Sequence, residues 1–345
     1  HDPETGKAII KNVLGKTQAE VKEKLKKAIE ENVGIDYGRA KTYTVGSWLE
    51  VWMENYAKVK LRPSTFKTSQ GFLKNHIKPQ IGSIPLADLT SLDLQRFYKH
   101  LLDGGRVDRI EAKKKPKGLA PKTVRNIHQM IGSAYNLAVE QRLVTKNPTQ
   151  GCALPKVEHK EMKTLTSDQL STFFQEARDS GVYELYYLDL ATGLRRGELC
   201  ALQWRNITGA CELTVRRSRS CASGQIVESD TKSHRERIVT IPLGLWELLM
   251  ALRQQQMLHS GVPDREQPIF TDPDGHVPHP DTFTRHLRKL YKKCGLSEDY
   301  HLHTLRHFYA TYLLQEGTSK QVAASLLGHA DTAFLERTYK SEAKR

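Results

Sequence analysis

The chain has 345 residues, enough for two or three domains with cores of their own, and 38% hydrophobic and 27% charged residues are typical of a globular protein. No apolar run approaches the length of a membrane span and the first residues show no secretory pattern, so we expect neither a membrane protein nor a secreted one. The net charge of +14 is unevenly distributed, because residues 1–160 hold 29 Lys+Arg against 16 Asp+Glu while the rest is nearly balanced. This asymmetry favours a polyanion bound by the N-terminal half, and the alternative is a basic surface that serves solubility.

The cysteines give no metal-binding pattern. An odd number of scattered cysteines without a CxxC pair fits a reducing cytoplasm and carries no zinc signature. They are Cys152, Cys200, Cys211, Cys221 and Cys294.

The first 40 residues predict a turn followed by a helix. Thr17 is a candidate N-cap, and Glu20 three residues later completes a capping box. The chain starts at His1 instead of a methionine, so we expect a truncated N-terminus.

Residues 44 to 147 predict an all-helical region. Apolar residues recur at helical spacing through four segments, and Pro or Gly punctuates their ends. The segments are VGSWLEVWMENYA, STFKTSQGFLKNHIKPQIG, SLDLQRFYKHLLDGG and KTVRNIHQMIGSAYNLAVEQ. The stretch NPTQGCALPKVEHKEMK that follows predicts an extended linker.

The second half predicts a mixture of helices and short strands. The β-like segments are 211–218, 225–228 and 236–242. The predicted helices are 167–179, 184–192, 196–203, 244–256, 281–294, 303–316, 319–327 and 332–340.

Two constellations in this half can hold an anion. In ATGLRRGELCALQW, Arg195 precedes Glu198 by three residues, so a guanidinium suited to bidentate phosphate contact has a carboxylate nearby to orient it. The alternative is an ordinary surface Arg–Glu pair. In SDTKSHRERIVTIPL, Lys232 is placed in a predicted turn between strands, where it can donate a proton or remain a solvated lysine.

The predicted helix HTLRHFYATYLL could hold either a metal ion or an anion. Leu305, Phe308 and Tyr312 belong to its predicted apolar stripe, which puts His303, Arg306 and His307 on the opposite side. The i, i+4 histidines resemble zinc-ligand spacing, but Arg306 between them would repel Zn²⁺ and no general-base Glu accompanies them. An anion site is the better interpretation, and we expect no metal.

The final motif is LLGHADTAFLERTYKS, which contains His329 and Tyr339. The ordered set G-x-R-x-x-E, a turn lysine, H-x-x-R-H, L-G-H and a later tyrosine resembles the tyrosine recombinases of the phage-integrase family. The resemblance extends over nearly the whole chain and includes the integrases of phages and conjugative transposons. One departure is Ser341, at a position where many members have a histidine.

The resemblance implies a multidomain, mainly α fold. Its expected parts are a remnant of an arm-binding domain with a connecting helix (1–40), a helical SAM-like core DNA-binding domain (43–149), a linker (150–163) and a mixed α/β catalytic domain (164–345) with a small three-stranded sheet.

The resemblance also implies a role for each motif residue. Tyr339 is the nucleophile that forms a 3′-phosphotyrosyl bond, and Arg195 and Arg306 clamp the phosphate oxygens. Lys232 is the general acid, His303 exchanges a proton with the tyrosine hydroxyl, and His329 donates a hydrogen bond to the phosphate. Glu198 and His307 support the site.

The expected function is site-specific recombination of DNA for a mobile element. A phosphotyrosyl bond conserves the energy of the broken phosphodiester, and arginines neutralise the charge that Mg²⁺ neutralises elsewhere, so no ATP, metal or other cofactor is expected. The expected partner is double-stranded DNA (element ends and a target or attachment site), bound by a homo-tetramer in a bacterial cytoplasm without any membrane contact. Alternatives are a type IB topoisomerase-like enzyme and an inactive DNA-binding accessory protein.

The DNA contacts are predicted from two basic helices. RPSTFKTSQGFLK and PKTVRNIHQ are the candidates for DNA-facing helices, with the alternative that each is a solvated face. The side chains expected to contact DNA are Lys67, Lys74, Lys122 and Arg125.

Overall fold

A computed structural model describes two compact units, His1–His159 and Lys160–Arg345. The described residues are 12–32, 42–107, 116–158, 165–222, 225–230, 236–260, 265–271, 276, 278–297 and 300–328. The predicted helix at 332–340 lies outside them.

The first unit is built from helices. They are α1 (Gln18–Asn32), α2 (Val45–Trp52), α3 (Pro63–Phe72), α4 (Ser91–Gly104) and α5 (Pro121–Glu140). A π-helical turn, Met53–Ala57, extends α2 into Lys58–Lys60, and a second one, Leu73–Ile77, extends α3 into Lys78–Ile81. The four segments predicted between residues 44 and 147 are all helical.

Local sequence explains where these helices begin. Thr44 and Ser47 form a reciprocal capping box, in which each side-chain oxygen accepts from the other residue's backbone N–H. Thr90 and Asp93 form the same arrangement at the start of α4. At α5, Pro121 occupies the first turn, where its missing N–H leaves no hydrogen bond unmade.

The core of the first unit joins α2 to α5. The indole of Trp48 is buried and its Nε1 donates to the carbonyl of Ala134 at 3.0 Å. Gly46 N donates to the carbonyl of Gly82 at 2.9 Å, and a Cβ at residue 46 would lie only 3.0 Å from that oxygen. A side chain at residue 46 would therefore push these two backbones slightly apart.

The second unit contains seven described α-helices and five described strands. The helices are α6 (Ser167–Asp179), α7 (Tyr183–Thr192), α8 (Arg196–Leu199), α9 (Leu243–Ser260), α10 (Pro280–Lys293), α11 (Leu302–Gln315) and α12 (Lys320–Leu327). The strands are β1 (Ile207–Gly209), β2 (Glu212–Val215), β3 (Arg217–Ala222), β4 (Gln225–Asp230) and β5 (Arg237–Thr240).

The small three-stranded sheet is confirmed. It is antiparallel with the order β1–β2–β5, and the buried side chains of Leu213 and Val239 are cross-strand partners. Strands β3 and β4 form a separate antiparallel ribbon. The predicted single segment at 211–218 is wrong in this respect, because the chain leaves the first sheet at Arg216 and enters the ribbon.

The core of the second unit has an aromatic centre. Phe173 contacts the rings of Tyr186 and Tyr291, at centroid distances of 5.7 and 5.4 Å, and Tyr186 Oη donates to the carbonyl of Phe283. All five cysteines of the chain are free thiols.

Two predicted features of this unit need correction. Helix α8 ends at Leu199 and not near residue 203. On α11 the predicted apolar stripe is only partly buried, because Leu305 is fully buried but Tyr312 is 50% exposed. On the predicted polar side Arg306 and His307 are buried as well, whereas His303 is exposed.

We predict that Asn147 stabilises the end of the first unit. Its amide donates to Gly132 O and Asn136 Oδ1 and accepts two hydrogen bonds from Thr149. Asn147→Ala leaves these buried groups unpaired, so we expect a loss of about 2 kcal/mol in the unfolding free energy of this unit.

The measurement is hydrogen–deuterium exchange of the α5 amides in increasing urea. The matched control is Asn136→Ala, which removes only one exposed partner and should cost below about 0.5 kcal/mol. Equal losses in the two variants would contradict the prediction.

Candidate active site

The end of α7 carries a backbone turn that only glycine adopts easily. Gly193 has φ +57°, and its N–H donates to the carbonyl of Asp189 at 2.8 Å to close the helix. A Cβ here would lie 2.7 Å from a ring carbon of Tyr309 and 2.9 Å from a methyl carbon of Leu327. This glycine thus permits α11 and α12 to lie against the end of α7.

Arg195 and Glu198 form a tight pair directly after that turn. Glu198 Oε2 accepts from Arg195 N at 3.0 Å, and Oε1 accepts from Arg195 Nη1 at 2.8 Å. The side chain of Glu198 is 1% exposed and that of Arg195 is 19% exposed. The alternative of an ordinary surface pair is therefore wrong.

Arg237 on β5 is a third member of this cluster, and the sequence analysis missed it. Its Nη2 lies 2.6 Å from Glu198 Oε2 and its Nη1 lies 3.3 Å from Oε1. The side chain is 8% exposed. Glu198 is consequently held between two guanidinium groups.

The carbonyl end of α12 binds three arginines through three consecutive residues. Leu326 O accepts from Arg237 Nε at 2.9 Å, Leu327 O accepts from Arg306 Nη2 at 2.5 Å, and Gly328 O accepts from Arg195 Nη2 at 2.8 Å. Carbonyls at a helix C-terminus lack intrahelical partners and carry a partial negative charge. Guanidinium groups supply both the donors and the opposite charge.

Arg306 also reaches the end of α7. Its Nη1 donates to Gly193 O at 2.5 Å, so one guanidinium joins the C-terminal ends of α7 and α12. The residue is only 4% exposed. Arg195 and Arg306, which the sequence analysis paired on a phosphate, are thus held by adjacent carbonyls.

The pKa values of two buried carboxyl groups, those of Glu198 and Asp189, are shifted in opposite directions. Burial alone would raise the pKa of Glu198, but the hydrogen bond and charge of Arg237, together with the backbone N–H and charge of Arg195, hold that pKa below its usual value. Glu198 is therefore ionised at neutral pH.

Asp189 on α7 is the second carboxyl group and was also missed. It is 1% exposed, and neither carboxyl oxygen has a hydrogen-bond partner in the described part of the chain. Burial raises the pKa of Asp189 well above its usual value; Arg306 opposes that shift and Glu198 adds to it. The group is held towards its neutral form.

The three histidines of α11 and its N-cap differ in exposure. His303 is exposed, and its ring centroid lies 6.1 Å from that of His301 and 6.5 Å from that of His307. His307 is buried, and burial, with smaller contributions from His303, Arg306 and His301, lowers its pKa to about 4. His307 is therefore a neutral imidazole at neutral pH. Among residues 12–328 as described, no group of three His, Cys, Asp or Glu is arranged to hold a metal ion.

Three predicted catalytic residues lie outside the described residues. They are Lys232, His329 and Tyr339. In the sequence, Lys232 falls between β4 and β5, and His329 directly follows the Gly328 carbonyl that Arg195 contacts.

The four predicted DNA-contact residues are all exposed in the first unit. Lys67 and Lys74 line one groove together with Glu50, Glu54 and Lys78. Lys122 and Arg125 lie in the first turns of α5, where Arg125 Nη1 donates to the carbonyl of Pro155 at 3.1 Å.

Comparison with known proteins identifies the chain. Residues 159–345 match the profile described as the phage integrase family, and residues 44–102 match its N-terminal SAM-like domain. The chain belongs to the phage integrase family. Its activity is that of a tyrosine site-specific recombinase.

Individual relatives are distant but cover most of the chain. A tyrosine recombinase XerC-like protein of Caldanaerobacter subterraneus subsp. tengcongensis is 25% identical over 97% of this chain and 89% of its own length. An integrase of Saccharopolyspora erythraea is 23% identical over 96% of this chain and 87% of its own length.

Solved structures confirm the fold. The Tn1549 transposon integrase in complex with a circular intermediate DNA gives a TM-score of 0.70 at 17% identity, covering 86% of this chain and 95% of that one. A lambda integrase tetramer bound to a Holliday junction gives 0.61 at 21% identity, covering 96% and 92%. Within the described parts of this integrase, no helix is both long and apolar enough to cross a bilayer.

Sequence signals for both missed residues existed. Val239 and Ile241 are buried and alternate with exposed Ile238, so Arg237 is a charged residue on the buried face of a strand. Asp189 is a single carboxylate among the apolar residues of YYLDLATG. In each case a charge occupies a position that should be apolar.

We predict that Asp189→Asn stabilises the protein increasingly as the pH rises. The unfolded Asp has a pKa of about 3.9, and the folded value is raised. The folded wild type therefore holds a proton that the unfolded chain has released, so its stability falls as the pH rises from the unfolded pKa through the folded one. Asparagine has no such proton.

The measurement is the difference in Tm between Asp189→Asn and wild type at pH 5 and pH 8. We expect a larger, positive difference at pH 8. Asp168→Asn is the control for exchanging a carboxylate for an amide at an exposed position, on α6. A Tm gain for Asp189→Asn that shrinks from pH 5 to pH 8 would contradict the assignment.

Proposed function

We propose that this integrase moves a mobile element by cutting and rejoining DNA at specific sites, with Tyr339 as the nucleophile. The observation that supports it most strongly is the convergence of Arg195 and Arg306 on adjacent carbonyls at the end of α12. Two guanidinium groups held together in this way form a binding site for one phosphate group.

The chemical steps balance without an external energy source. The oxygen of Tyr339 attacks the phosphorus, the bond from phosphorus to the 5′-oxygen breaks, and Lys232 gives that oxygen a proton. The products are a 3′-phosphotyrosyl bond and a free 5′-hydroxyl. Attack by a 5′-hydroxyl on the phosphotyrosyl phosphorus rejoins DNA and restores the tyrosine, so neither ATP nor a metal ion is required.

The arginines stabilise charge, and the histidines transfer a proton or donate a hydrogen bond. Arg195 and Arg306 stabilise the charge that develops on the non-bridging oxygens in the transition state. His303, the exposed histidine of α11, receives the tyrosine proton, and His329 donates a hydrogen bond to the phosphate. Glu198 orients Arg195, and neutral His307 supports Arg306 from within the helix.

We propose that the domain limits are those expected from the sequence: an arm-domain remnant at 1–40, the core DNA-binding domain at 43–149, a linker at 150–163 and the catalytic domain at 164–345. The matched family segments at 44–102 and 159–345 support this division. The core DNA-binding domain contacts the DNA phosphates through Lys67, Lys74, Lys122 and Arg125.

We propose double-stranded DNA and three further copies of the chain as partners. The solved Tn1549 integrase is in complex with a circular intermediate DNA and the solved lambda integrase is a tetramer on a Holliday junction, which supports both partners. A tetramer supplies the four active sites that exchange of four strands requires. The proposed location is the cytoplasm of a bacterial host, at its nucleoid.

We predict that the covalent complex requires Tyr339. The probe is a pool of nicked suicide duplexes tiled across the DNA that adjoins the protein's own coding sequence. A nick near the cleavage position lets the short fragment with the free 5′-hydroxyl diffuse away, which leaves the protein trapped on the 3′-phosphate. We expect wild type to form a denaturation-resistant complex with one duplex and Tyr339→Phe to form none.

Two results would overturn the proposed function. One is equal, background trapping by wild type and Tyr339→Phe. The other is relaxation of supercoiled plasmid without any preferred cleavage position, which a type IB topoisomerase would give. Tyr312→Phe is the matched control, because Tyr312 is an exposed tyrosine of the same unit.

We predict that the basic side chains of α3 and α5 bind phosphates. Lys74→Ala and Lys122→Ala should each weaken binding to all duplexes and reduce the slope of log K against log salt concentration by about 0.9. The measurement is fluorescence anisotropy between 50 and 300 mM KCl, roughly the range over which such slopes are resolved. Lys58→Ala, which removes an exposed lysine paired with Glu54, is the control and should leave the slope unchanged. Identical slopes in all three variants would show that Lys74 and Lys122 do not contact phosphates.

A further inference from the structure

The guanidinium group of Arg237 is held by hydrogen bonds from several of its nitrogens. Nη1 and Nη2 face the Glu198 carboxylate and Nε donates to Leu326 O, so three nitrogens have defined partners inside the site. A Cβ on Gly328 would lie 2.8 Å from Arg237 Nη1, so the guanidinium also lies against the turn that ends α12. Arg237 is thereby fixed by β5, α8 and α12 together.

The charges of the cluster show why a second arginine is needed. A buried carboxylate with one guanidinium partner cancels the charge of that partner. Glu198 has two, so the trio of Arg195, Glu198 and Arg237 keeps a net charge of +1. Arg237 neutralises Glu198, which leaves the charge of Arg195 available for an anion.

The same contacts fix the direction of Arg195. Glu198 Oε1 accepts from Arg195 Nη1, and Glu198 is itself held in place by the two terminal nitrogens of Arg237. A carboxylate without Arg237 would be free to change rotamer, and Arg195 would then be held at Gly328 O alone.

We propose that Arg237 is a positioning residue of the recombination reaction, which orients Glu198 and offsets its charge, so that the charge of Arg195 is available to, and aimed at, the scissile phosphate. This inference rests on the proposed function, because it assigns Arg195 to the phosphate. Arg237 does not touch the DNA; it acts through Glu198 and through the end of α12.

The test separates DNA binding from cleavage. With the tiled suicide duplexes at saturating concentration, we expect Arg237→Gln to lower the single-turnover cleavage rate by about 10- to 100-fold, the range found when a residue that orients an active side chain is removed. The Kd for the same duplex should change by less than about 3-fold. Arg237→Lys should recover part of the rate, since an ammonium retains the charge but not the forked contacts.

A double variant adds a readout that a loss of folding alone would not give. In Arg237→Gln the remaining carboxylate of Glu198 cancels the charge of Arg195, whereas Glu198→Gln/Arg237→Gln has no carboxylate there, so the cleavage rate of the double variant should be no lower than that of Arg237→Gln. Arg219→Gln is the matched control, because Arg219 forms another part-buried Arg–Glu pair, with Glu228 in the β3–β4 ribbon, and should retain the wild-type rate.

The outcomes are distinguishable. If Arg237→Gln cleaves at the wild-type rate, or if the rate losses multiply in the double variant, the positioning role of Arg237 is wrong and the proposed function is unaffected. If Arg237→Gln does not fold, as judged by its Tm, Arg237→Lys and the double variant carry the same comparison. Absence of covalent complex from the wild type would overturn the proposed function, and this inference with it.

Discussion

The carbonyl end of α12 is the constraint on which the site depends. Three consecutive carbonyls, of Leu326, Leu327 and Gly328, each accept a hydrogen bond from a different arginine. Those arginines come from β5, α11 and the turn before α8, which are far apart in the sequence. Like charges at such short range repel, and the helix end, together with Glu198, supplies the negative charge that lets them converge. The helix must therefore end where it does, and Gly328, at φ +66°, ends it.

Two carboxyl groups near this cluster differ in charge. Glu198 is kept ionised by its two guanidinium partners, whereas Asp189 is kept towards its neutral form by burial. An ionised Asp189 would place a second negative charge beside Arg306 and weaken the attraction of that arginine for phosphate. The neutral imidazole of His307 follows the same logic, since a second cation next to Arg306 would be costly in a buried setting. The net result is a site of positive charge concentrated on few, fixed side chains.

Much of this organisation was predictable from the sequence, for reasons that particular residues show. Apolar residues recur at helical spacing in the first unit, so its helices were recognisable, and the capping residues Thr44 and Thr90 lie at two of their starts. Arg195, Glu198 and Arg306 were recognisable because family motifs fix their order. Arg237 and Asp189 carry only a local signal, a charge at an otherwise apolar position, and their roles depend on burial and on partners that are distant in the sequence. The split of the β segment at Arg216 also depends on tertiary pairing, since each half has equal strand character.

A crystal structure of the covalent protein–DNA complex would test whether Arg195 and Arg306 converge on one phosphate. We expect nitrogens of both guanidinium groups within about 3 Å of the non-bridging oxygens of the phosphotyrosyl group. We also expect Leu327 O and Gly328 O still to accept hydrogen bonds from those two arginines. A phosphotyrosyl group in contact with neither arginine, or an α12 end released from both, would show that the two arginines do not form the phosphate site.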